Sequence, residues 1–462
     1  MQFDRQFLTK TLSNVSIEQD YFPEDILFSI DTRTLNAEDI FIAMVGHKND
    51  GHDFLKDAFL KGASGCIINR SKLSLLKKID KNLLHEKLVV LVDDTHEALL
   101  MLASAWRKQF SCPVIGITGS VGKTSTKECL SYVLDQYGMH HIASIDNQNT
   151  LIGSALNMLR LREHHKVAIF EMGISNRGEM ALIADLVRPT IGVITNIGHQ
   201  HMDGLGSLHD IAIEKRDIFK YFAEDNIGII NGDQAILSDV SYLHPIIKFG
   251  SKMSNQIQAR KTRISGEQIH FILKIYGKKY PVIIKKPHVG IINQVLAVSA
   301  VGYLLQIPDE VMVKAIQEPM VVAGRFQPFS CKFNGATLID DCYNANPESV
   351  KAALLALQQM ESTQQKIVVL GDMLGLGINS PFWHRQIGRF LRKVPSVKKV
   401  ILVGKLVEWV QKTAPFGCEV VVVADWQSAV AVLEQDIKNK PVILVKGSRA
   451  IGLDNLVKQF AV

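Results

Sequence analysis

Short apolar runs separated by stretches of helical spacing dominate the chain from residue 112 onward. Val114–Thr118, Val167–Met172, Ile191–Asn196 and Ile227–Asn231 predict strands, with helices from Lys123 and over Leu208–Phe222. Apolar runs of that length, alternating with helices, predict a mostly parallel sheet wrapped by helices. Residues 258–285 alternate apolar and polar, so antiparallel strands are expected there, with Gly277-Lys278-Lys279 as a hairpin turn and an amphipathic helix following at Asn293–Leu305. Lys366–Leu370, Val400–Val403, Glu419–Val423 and Val442–Val445 repeat the strand–helix alternation and predict a second doubly wound unit. Ahead of both lie Ile26–Ile30, Ile40–Val45 and Leu88–Val92, mixed with Gly and Asp. The expected class is α/β with three domains: a small α/β domain over 1–111, a central P-loop parallel-sheet domain over 112–320 and a C-terminal doubly wound, Rossmann-like domain over 321–462. Ser111-Cys112-Pro113 marks the first boundary.

At 462 residues, 47% hydrophobic and 21% charged, the chain has ordinary globular composition and enough length for two to four cores. Its 52 basic and 46 acidic residues leave a net charge of +6. That mild excess suits an anionic small molecule; without a basic run it points to no nucleic acid. Six cysteines stand at 66, 112, 129, 331, 342 and 418 with no CxxC pair, which predicts neither a zinc site nor a disulfide framework and fits a reducing cytoplasm. The N-terminus MQFDRQFLTK lacks an apolar secretory core, and no apolar run approaches the ~18 residues of a membrane span, so no stable membrane insertion is expected.

One segment carries specific chemistry. After the apolar Val114–Ile117 comes Thr118-Gly119-Ser120-Val121-Gly122-Lys123-Thr124-Ser125, then a helical pattern. Glycines let a backbone curl until its N–H groups face phosphate oxygens, and the helix N-terminus adds its positive end. Lys123 is placed to reach the β/γ phosphates and Thr124 to ligate Mg²⁺. Ile117 stands where the longer motif G-x-x-x-x-G-K-[ST] has its first glycine, so only the short form G-x-x-G-K-[ST] fits. Glu171 ends the next central strand, where open α/β sheets bind ligands; it reads either as a Mg²⁺ ligand or as a solvated rim carboxylate. His199 and His201, two apart in a loop, read as metal ligands or, more often for such a pair, as solvated side chains, and Lys215 on a helix reads by itself as a solvated lysine.

Taken together these positions resemble the Mur ligases, over nearly the whole chain. Ser29-Ile30-Asp31-Thr32-Arg33 is similar to the family's uridine-contacting segment, and Asn49-Asp50-Gly51-His52-Asp53-Phe54 to a stretch of the members that add D-alanyl-D-alanine. The short phosphate loop, Asn147-Gln148-Asn149, Glu171, Asn196, His201 and Lys215 followed by Phe219 match the family's centre. Gly324-Arg325, Asp340-Asp341-Cys342-Tyr343-Asn344-Ala345-Asn346-Pro347, Gly371-Asp372-Met373 and Lys446-Gly447-Ser448-Arg449 match its C-terminal part. The Tyr343–Pro347 string points to the D-alanyl-D-alanine-adding branch; the Asp-Asn-Pro-Arg string of the diaminopimelate-adding branch is absent. The chain departs from the family at Val289 and Gly290, where His-Asn is common, at Gly375, where Glu is usual, and at Ala450–Asp454, where a Met-Glu pair is common.

The resemblance implies a cytoplasmic, monomeric, ATP- and Mg²⁺-dependent ligase that joins D-alanyl-D-alanine to UDP-N-acetylmuramoyl-tripeptide through an acyl phosphate. It implies catalytic roles for Lys123, Glu171, His201, Lys215 and Arg325. It assigns Thr118–Ser125, Asn293, Arg325, Asp341 and Asn344 to the nucleotide, and Thr124, Glu171, His201 and a carbamylated Lys215 to the metal. Ser29, Asp31, Thr32, Arg33, Asp50, His52, Asn147 and Asn149 fall to the UDP-substrate. Arg325 and Asp341 are far in sequence from the phosphate loop, so the site is expected to form by domain closure, which excludes water. Three rivals remain: a sibling ligase acting on folate or another peptide, a P-loop switch or transport ATPase, and an inactive binding module. The chain has no Asn-Lys-x-Asp guanine-reading string and no Leu-Ser-Gly-Gly-Gln signature, and it keeps Lys123, Glu171, His201 and Lys215.

Overall fold

Parallel strands covered on both faces need apolar residues at nearly every position. In the computed structural model of the chain, the apolar runs are such strands. The structure describes residues 3–23, 26–266, 268–285, 290–318, 322–332, 335–360, 362 and 364–461. Val289 and the 320/321 boundary lie outside the described residues. The described strands form three sheets. The chain divides into two compact units: Met1–Gly116 with His140–Met172 and Ala181–Thr190, and Ile117–Met139 with Gly173–Met180 and Ile191–Val462.

The first unit holds β1 (Ser16–Asp20), β2 (Phe28–Ser29), β3 (Ile40–Ile42), β4 (Gly65–Asn69) and β5 (Leu88–Val92), in the order β1-β5-β4-β3-β2. All neighbours are parallel except the β1–β5 pair. The helix Thr95–Arg107 follows β5 and is capped by Asp94, whose carboxylate accepts from the N–H groups of His96 and Glu97. The sheet containing β6 (Val114–Thr118) carries β7 (His141–Ala143) and β8 (Val167–Glu171) in this unit, ordered β7-β8-β6. In the second unit it continues from β6 through β9 (Ile191–Ile194), β10 (Ile227–Asn231), β11 (Ile246–Gly250), β12 (Ile257–Ser265), β13 (Gln268–Ile275) and β14 (Lys278–Lys285). β9 to β12 are parallel, and β12–β13 and β13–β14 are antiparallel, as the alternation over 258–285 predicts.

The hairpin turn is Tyr276-Gly277, not Gly277-Lys278-Lys279: Lys278 and Lys279 pair with Ile275 and Lys274. β14 ends the strand order, and its lysines occupy the exposed positions that edge strands fill with charge. The strands at 167 and 191 end at Glu171 and Ile194, leaving Met172 and Thr195-Asn196 to the loops. The helix expected over Leu208–Phe222 is α-helical over Leu208–Arg216 and tightens to a 3₁₀ turn at Asp217–Phe219.

The third sheet comprises β15 (Gln327–Ser330), β16 (Thr337–Asp340), β17 (Lys366–Gly371), β18 (Val397–Val403), β19 (Glu419–Val423) and β20 (Val442–Lys446), ordered β15-β16-β20-β17-β18-β19. Only β15 is antiparallel to its neighbour. Successive side chains feed opposite cores. Val368, Leu370, Val400, Leu402 and Leu444 pack with Val350, Leu354 and Leu357. Ile367, Val369, Ile401, Val403 and Ile443 pack with Leu433, Leu456 and Phe460 on the other face. Helices on both faces make this the doubly wound, Rossmann-like unit expected from the sequence. Among the described residues no helix is long and apolar enough to cross a membrane.

Candidate functional site

The phosphate loop forms where β6 stops and the helix Lys123–Tyr137 begins. Gly119 has φ +147° and Gly122 φ +89°, values that L side chains rarely adopt. A Cβ on Gly119 would sit 1.9 Å from Thr195 Oγ1, so the loop leaves no room for one. The residues after β9 hold the loop in place. Ser120 N–H donates to the Asn196 carbonyl (3.1 Å) and Val121 N–H to Asn196 Oδ1 (2.8 Å). Thr195 Oγ1 donates to the Val121 carbonyl (2.7 Å), and Ser120 Oγ to the Gly198 carbonyl (2.9 Å). No side chain caps the helix, because Gly122 occupies the N-cap, so its N–H end is turned toward the loop. The Thr118 hydroxyl is fully buried without a hydrogen-bond partner among the described residues. A pre-formed loop, a helix end without a side-chain cap and an orphaned hydroxyl fit a bound phosphate.

Lys123 Nζ donates to the Gly119 carbonyl at 2.8 Å, so the ammonium sits over the loop it serves. Lys215 is buried, and among the described residues no carboxylate pairs with it. Its neighbour Glu214 is committed elsewhere, accepting from the N–H groups of Gly178 and Met180 at 3.0 Å each. Burial, then the nearby Lys123 charge, push the Lys215 amine well below its ordinary pKa against the pull of Glu214. His201 is held down to about 4 by burial, then by Lys123 and Lys215, against Glu179. Three basic side chains therefore share one electrostatic neighbourhood. His201 also has φ +53°, a left-handed conformation that costs a non-glycine residue about 1–3 kcal/mol and concentrates at functional sites. Its neighbour Met202 donates its N–H to the Gly375 carbonyl at 2.9 Å. Gly375, with φ +73°, is thus the close backbone partner of the His201 loop, at the position where the sequence departs from the Mur pattern.

From the C-terminal segment, Arg325 lies 4.2 Å over the Tyr343 ring and its Nη2 donates to Thr124 Oγ1 at 3.4 Å. The two residues already meet in this structure. Asp341 is engaged differently. Its Oδ2 forms a buried ion pair with Lys446 Nζ at 2.8 Å, and that ammonium also donates to the carbonyls of Asp341 (3.2 Å) and Asn344 (3.0 Å). Removing one partner of such a buried pair costs about 3–5 kcal/mol. Asn344 Oδ1 accepts from Ala345 N–H at 2.8 Å. Asn293 is exposed; it is Gln294, one position on, whose side chain comes within about 4 Å of a Cβ built on Gly122. The side chain of Ser125 is half-buried.

In the first unit, Asn147, Asn149 and Glu171 form a chain. Asn149 Nδ2 donates to Asn147 Oδ1 (3.1 Å) and to Glu171 Oε1 (2.9 Å). Glu171 Oε2 is buried with no hydrogen-bond partner among the described residues, which suits a cation ligand and does not suit a solvated rim carboxylate. Arg33, largely exposed, chelates Asp31 through Nε and Nη2, with a closest approach of 2.6 Å. This contact holds the Asp31 carboxyl below its usual range. Ser29 Oγ accepts from Asp31 N–H, and the Thr32 carbonyl accepts from Lys61 Nζ. His52 is buried with both ring nitrogens engaged. Nε2 accepts from Asn69 N–H (2.9 Å), which makes Nδ1 the protonated nitrogen, donating to Asp50 Oδ1 (2.6 Å). Burial acts to raise the Asp50 carboxyl, but Lys72 and His52 outweigh it and the net shift is downward. Among the described residues no three His, Cys, Asp or Glu side chains cluster as a metal cage. A Mg²⁺ site differs from such a cage, typically pairing one or two carboxylates with phosphate oxygens and water.

Thr195 and Gln294 shape the site but were not singled out from sequence, and Asn196 and Lys446 were matched to the family pattern without a role. Lys446 carried a signal, a lysine ending an otherwise apolar strand. Replacing Gly119 by Ala drives a methyl into Thr195 and is expected to cut turnover roughly 10- to 100-fold. Steady-state kinetics with a melting curve checks this; a fully active, stable variant would rule out the loop as the phosphate cradle.

The family model described as the Mur ligase middle domain matches residues 117–302, and that described as the Mur ligase, glutamate ligase domain, matches 324–449. The chain is 32% identical over 452 residues to UDP-N-acetylmuramoyl-tripeptide–D-alanyl-D-alanine ligase of Bacillus subtilis (strain 168), covering 97% of this chain and 95% of that protein. It is 31% identical to the ligase of that name from Rickettsia prowazekii (strain Madrid E), over 98% of this chain and 99% of the other. Among solved structures it is similar to MurF from Acinetobacter baumannii, with TM-score 0.83 and 25% identity over 99% and 98% of the two chains.

Proposed function

The chain belongs to the Mur ligase family, and from that premise we propose that it joins D-alanyl-D-alanine to UDP-N-acetylmuramoyl-tripeptide at the expense of ATP. A carboxylate does not react with an amine at neutral pH, because its oxygen is a poor leaving group. Transfer of the ATP γ-phosphoryl group to the tripeptide carboxylate gives an acyl phosphate; the dipeptide amine attacks its carbonyl, and phosphate leaves. The observation that carries this reading is a pre-formed phosphate loop with the Lys123 ammonium over it, beside His201 and a buried Lys215 that, among the described residues, no carboxylate pairs with. Phosphoryl transfer is catalysed by positioning and charge neutralisation, which the loop and the Lys123 ammonium offer.

The chain's own groups divide the work. The loop 118–125 cradles the phosphates and Lys123 neutralises the transferring group. Arg325, next to Thr124, adds a second cation at the nucleotide. Lys446 holds the Asp341–Asn344 turn, a part assigned to the nucleotide. When bound, Mg²⁺ supplies further positive charge to the phosphate oxygens, and Thr124, His201 and a carbamylated Lys215 are the groups in the second unit that would hold it. In the first unit the free Glu171 Oε2 is the oxygen suited to a cation. We assign 1–111 to the UDP end of the substrate, 112–320 to ATP, and 321–462 to covering ATP and taking the incoming amine. Among the described residues no disulfide forms, which suits a reducing compartment, and we place the reaction in the cytoplasm.

Purified protein with ATP, Mg²⁺, D-alanyl-D-alanine and UDP-N-acetylmuramoyl-tripeptides containing lysine or diaminopimelate, read by mass spectrometry, tests the reading. The expected product is the pentapeptide with one ADP per bond. ATP turnover that needs no acceptor amine would refute it. Arg33→Ala should raise KM for the UDP-substrate about tenfold, the scale of one charge-assisted hydrogen bond, with little change in kcat. Unchanged affinity for that substrate would reassign the first domain.

A further inference from the structure

The segment Gly198–Asp203 is gripped at three points within the second unit. At one end Gly198 exchanges two hydrogen bonds with Ser120 of the phosphate loop, N–H to Oγ and Oγ to carbonyl, both 2.9 Å. At the other, Met202 N–H donates to Gly375. Between them His199 turns toward the C-terminal segment. Its Nδ1 donates to Glu348 Oε1 at 2.6 Å, and its ring packs on Trp383 with centroids 4.0 Å apart. Glu348 lies in the first turn of the helix Pro347–Gln359, where a carboxylate complements the helix N-terminus. The same helix is capped by Asn346, whose Nδ2 reaches the Ser120 carbonyl at 3.5 Å. A Cβ on Gly198 would come within 3.2 Å of the Glu348 carboxyl carbon, so a side chain there would push the acid back by a few tenths of an ångström. Neither His199, Glu348 nor Trp383 belongs to the phosphate or metal residues assigned above.

Two further atoms complete the picture. Glu348 Oε2 and Trp383 Nε1 are buried and have no hydrogen-bond partner among the described residues, an acceptor and a donor flanking one imidazole. An orphaned buried polar atom is costly and marks a place where a small rearrangement satisfies it.

We propose that His199, Glu348 and Trp383 form a latch that holds the C-terminal segment against the Gly198–Asp203 loop and so positions His201 and the phosphate loop for phosphoryl transfer. The three are positioning residues, acting through Ser120 and His201. The latch deepens the ligase reading and rests on it for its catalytic consequence; its structural half stands alone. Because it acts on closure, its loss lowers the fraction of molecules with a complete site.

The test uses the full-length protein and the variants Glu348→Ala, Glu348→Gln, His199→Phe and the double variant Glu348→Ala/His199→Phe. Glu348→Ala and His199→Phe, which keeps the ring stack, should each lower kcat roughly tenfold or more, with KM for D-alanyl-D-alanine changed less. Glu348→Gln keeps an acceptor and should recover most of the loss. The double variant should be no worse than the worse single variant, since both break one contact. Amide hydrogen exchange, with ADP and Mg²⁺ as the probe ligand, should show faster exchange across 198–203 and 346–350 in Glu348→Ala without a matching fall in Tm. Unchanged exchange in those segments, or additive losses of kcat, would overturn the latch. If Glu348→Ala does not fold, His199→Phe and Glu348→Gln carry the same decision. Wild-type protein that makes no pentapeptide would refute the ligase reading while leaving the exchange result to judge the latch.

Discussion

Lys123→Ala should lower turnover at saturating ATP on the order of 100–1000-fold, the usual consequence of losing one pre-organised charge contact in phosphoryl or acyl transfer. The expected size comes from where the charge acts. Lys123 begins the helix Lys123–Tyr137, and its ammonium already lies over the loop through Gly119. No reorganisation is needed when the γ-phosphoryl group moves. The charge it neutralises grows on passing to the transition state, so the loss falls on kcat more than on ATP affinity. The backbone of the loop is held by Thr195 and Asn196, independently of the lysine side chain, so the variant keeps its cradle. Lys123→Arg should recover part of the loss, because the charge returns with a longer, planar head. Single-turnover kinetics with a melting curve measures this. Near-normal turnover in Lys123→Ala would sink the phosphate-loop assignment, whatever the family likeness.

The phosphate loop was legible in the sequence because everything that defines it is local. A strand, two glycines in left-handed backbone and a helix start fall within a dozen residues. The doubly wound C-terminal sheet was legible for the same reason, since buried parallel strands announce themselves as apolar runs. Strands that lie on an edge did not. Ser16–Asp20 contains one apolar residue, and Gln327–Ser330 contains a proline, which only an edge or a bulge tolerates. The hairpin turn was misplaced by the same effect: Lys278 and Lys279 look like turn residues but are the exposed first residues of an end strand.

Long-range partners were the larger gap. His52 matched a substrate-binding stretch by position, yet its ring joins Asp50 to the backbone of Asn69, a contact that no local pattern encodes. Lys446 meets Asp341 across 105 residues, and His199 meets Glu348 across 149. Asn293 and Gln294 differ only by a rotation of about 100° around one helix axis. Which of the two approaches Gly122 depends on how the helix Ile291–Leu304 packs, and the family likeness that assigns Asn293 to the nucleotide says nothing of that.

Lys215→Ala should abolish most ligation, again on the order of 100–1000-fold, while leaving ATP binding nearly intact. A solvated helix lysine would predict almost no effect, and the structure already argues against solvation: the side chain is buried. A buried ammonium beside Lys123, with Glu214 occupied by two backbone N–H groups, is electrostatically unfavourable, which is why the neutral amine is favoured here. A neutral amine is the form that takes up CO₂. The N–C bond would form, one proton would be released, and a neutral side chain would become an anionic pair of oxygens. That exchange would set an anion beside the Lys123 ammonium and give His201 an anionic neighbour. It also supplies the oxygen ligand that Mg²⁺ prefers and a bare lysine lacks. The substitution to Ala deletes amine and carbamate together, leaving a cavity beside the His201 loop. Short carboxylic acids added in solution should then restore part of the activity by bringing an oxygen pair to the vacated place. Intact-mass analysis under bicarbonate, with ¹³C-labelled CO₂ followed by NMR, should show one carbamate per wild-type chain and none in Lys215→Ala. A fully active Lys215→Ala, or a wild-type enzyme that works unchanged when CO₂ is rigorously removed and shows no carbamate signal, would rule the modification out.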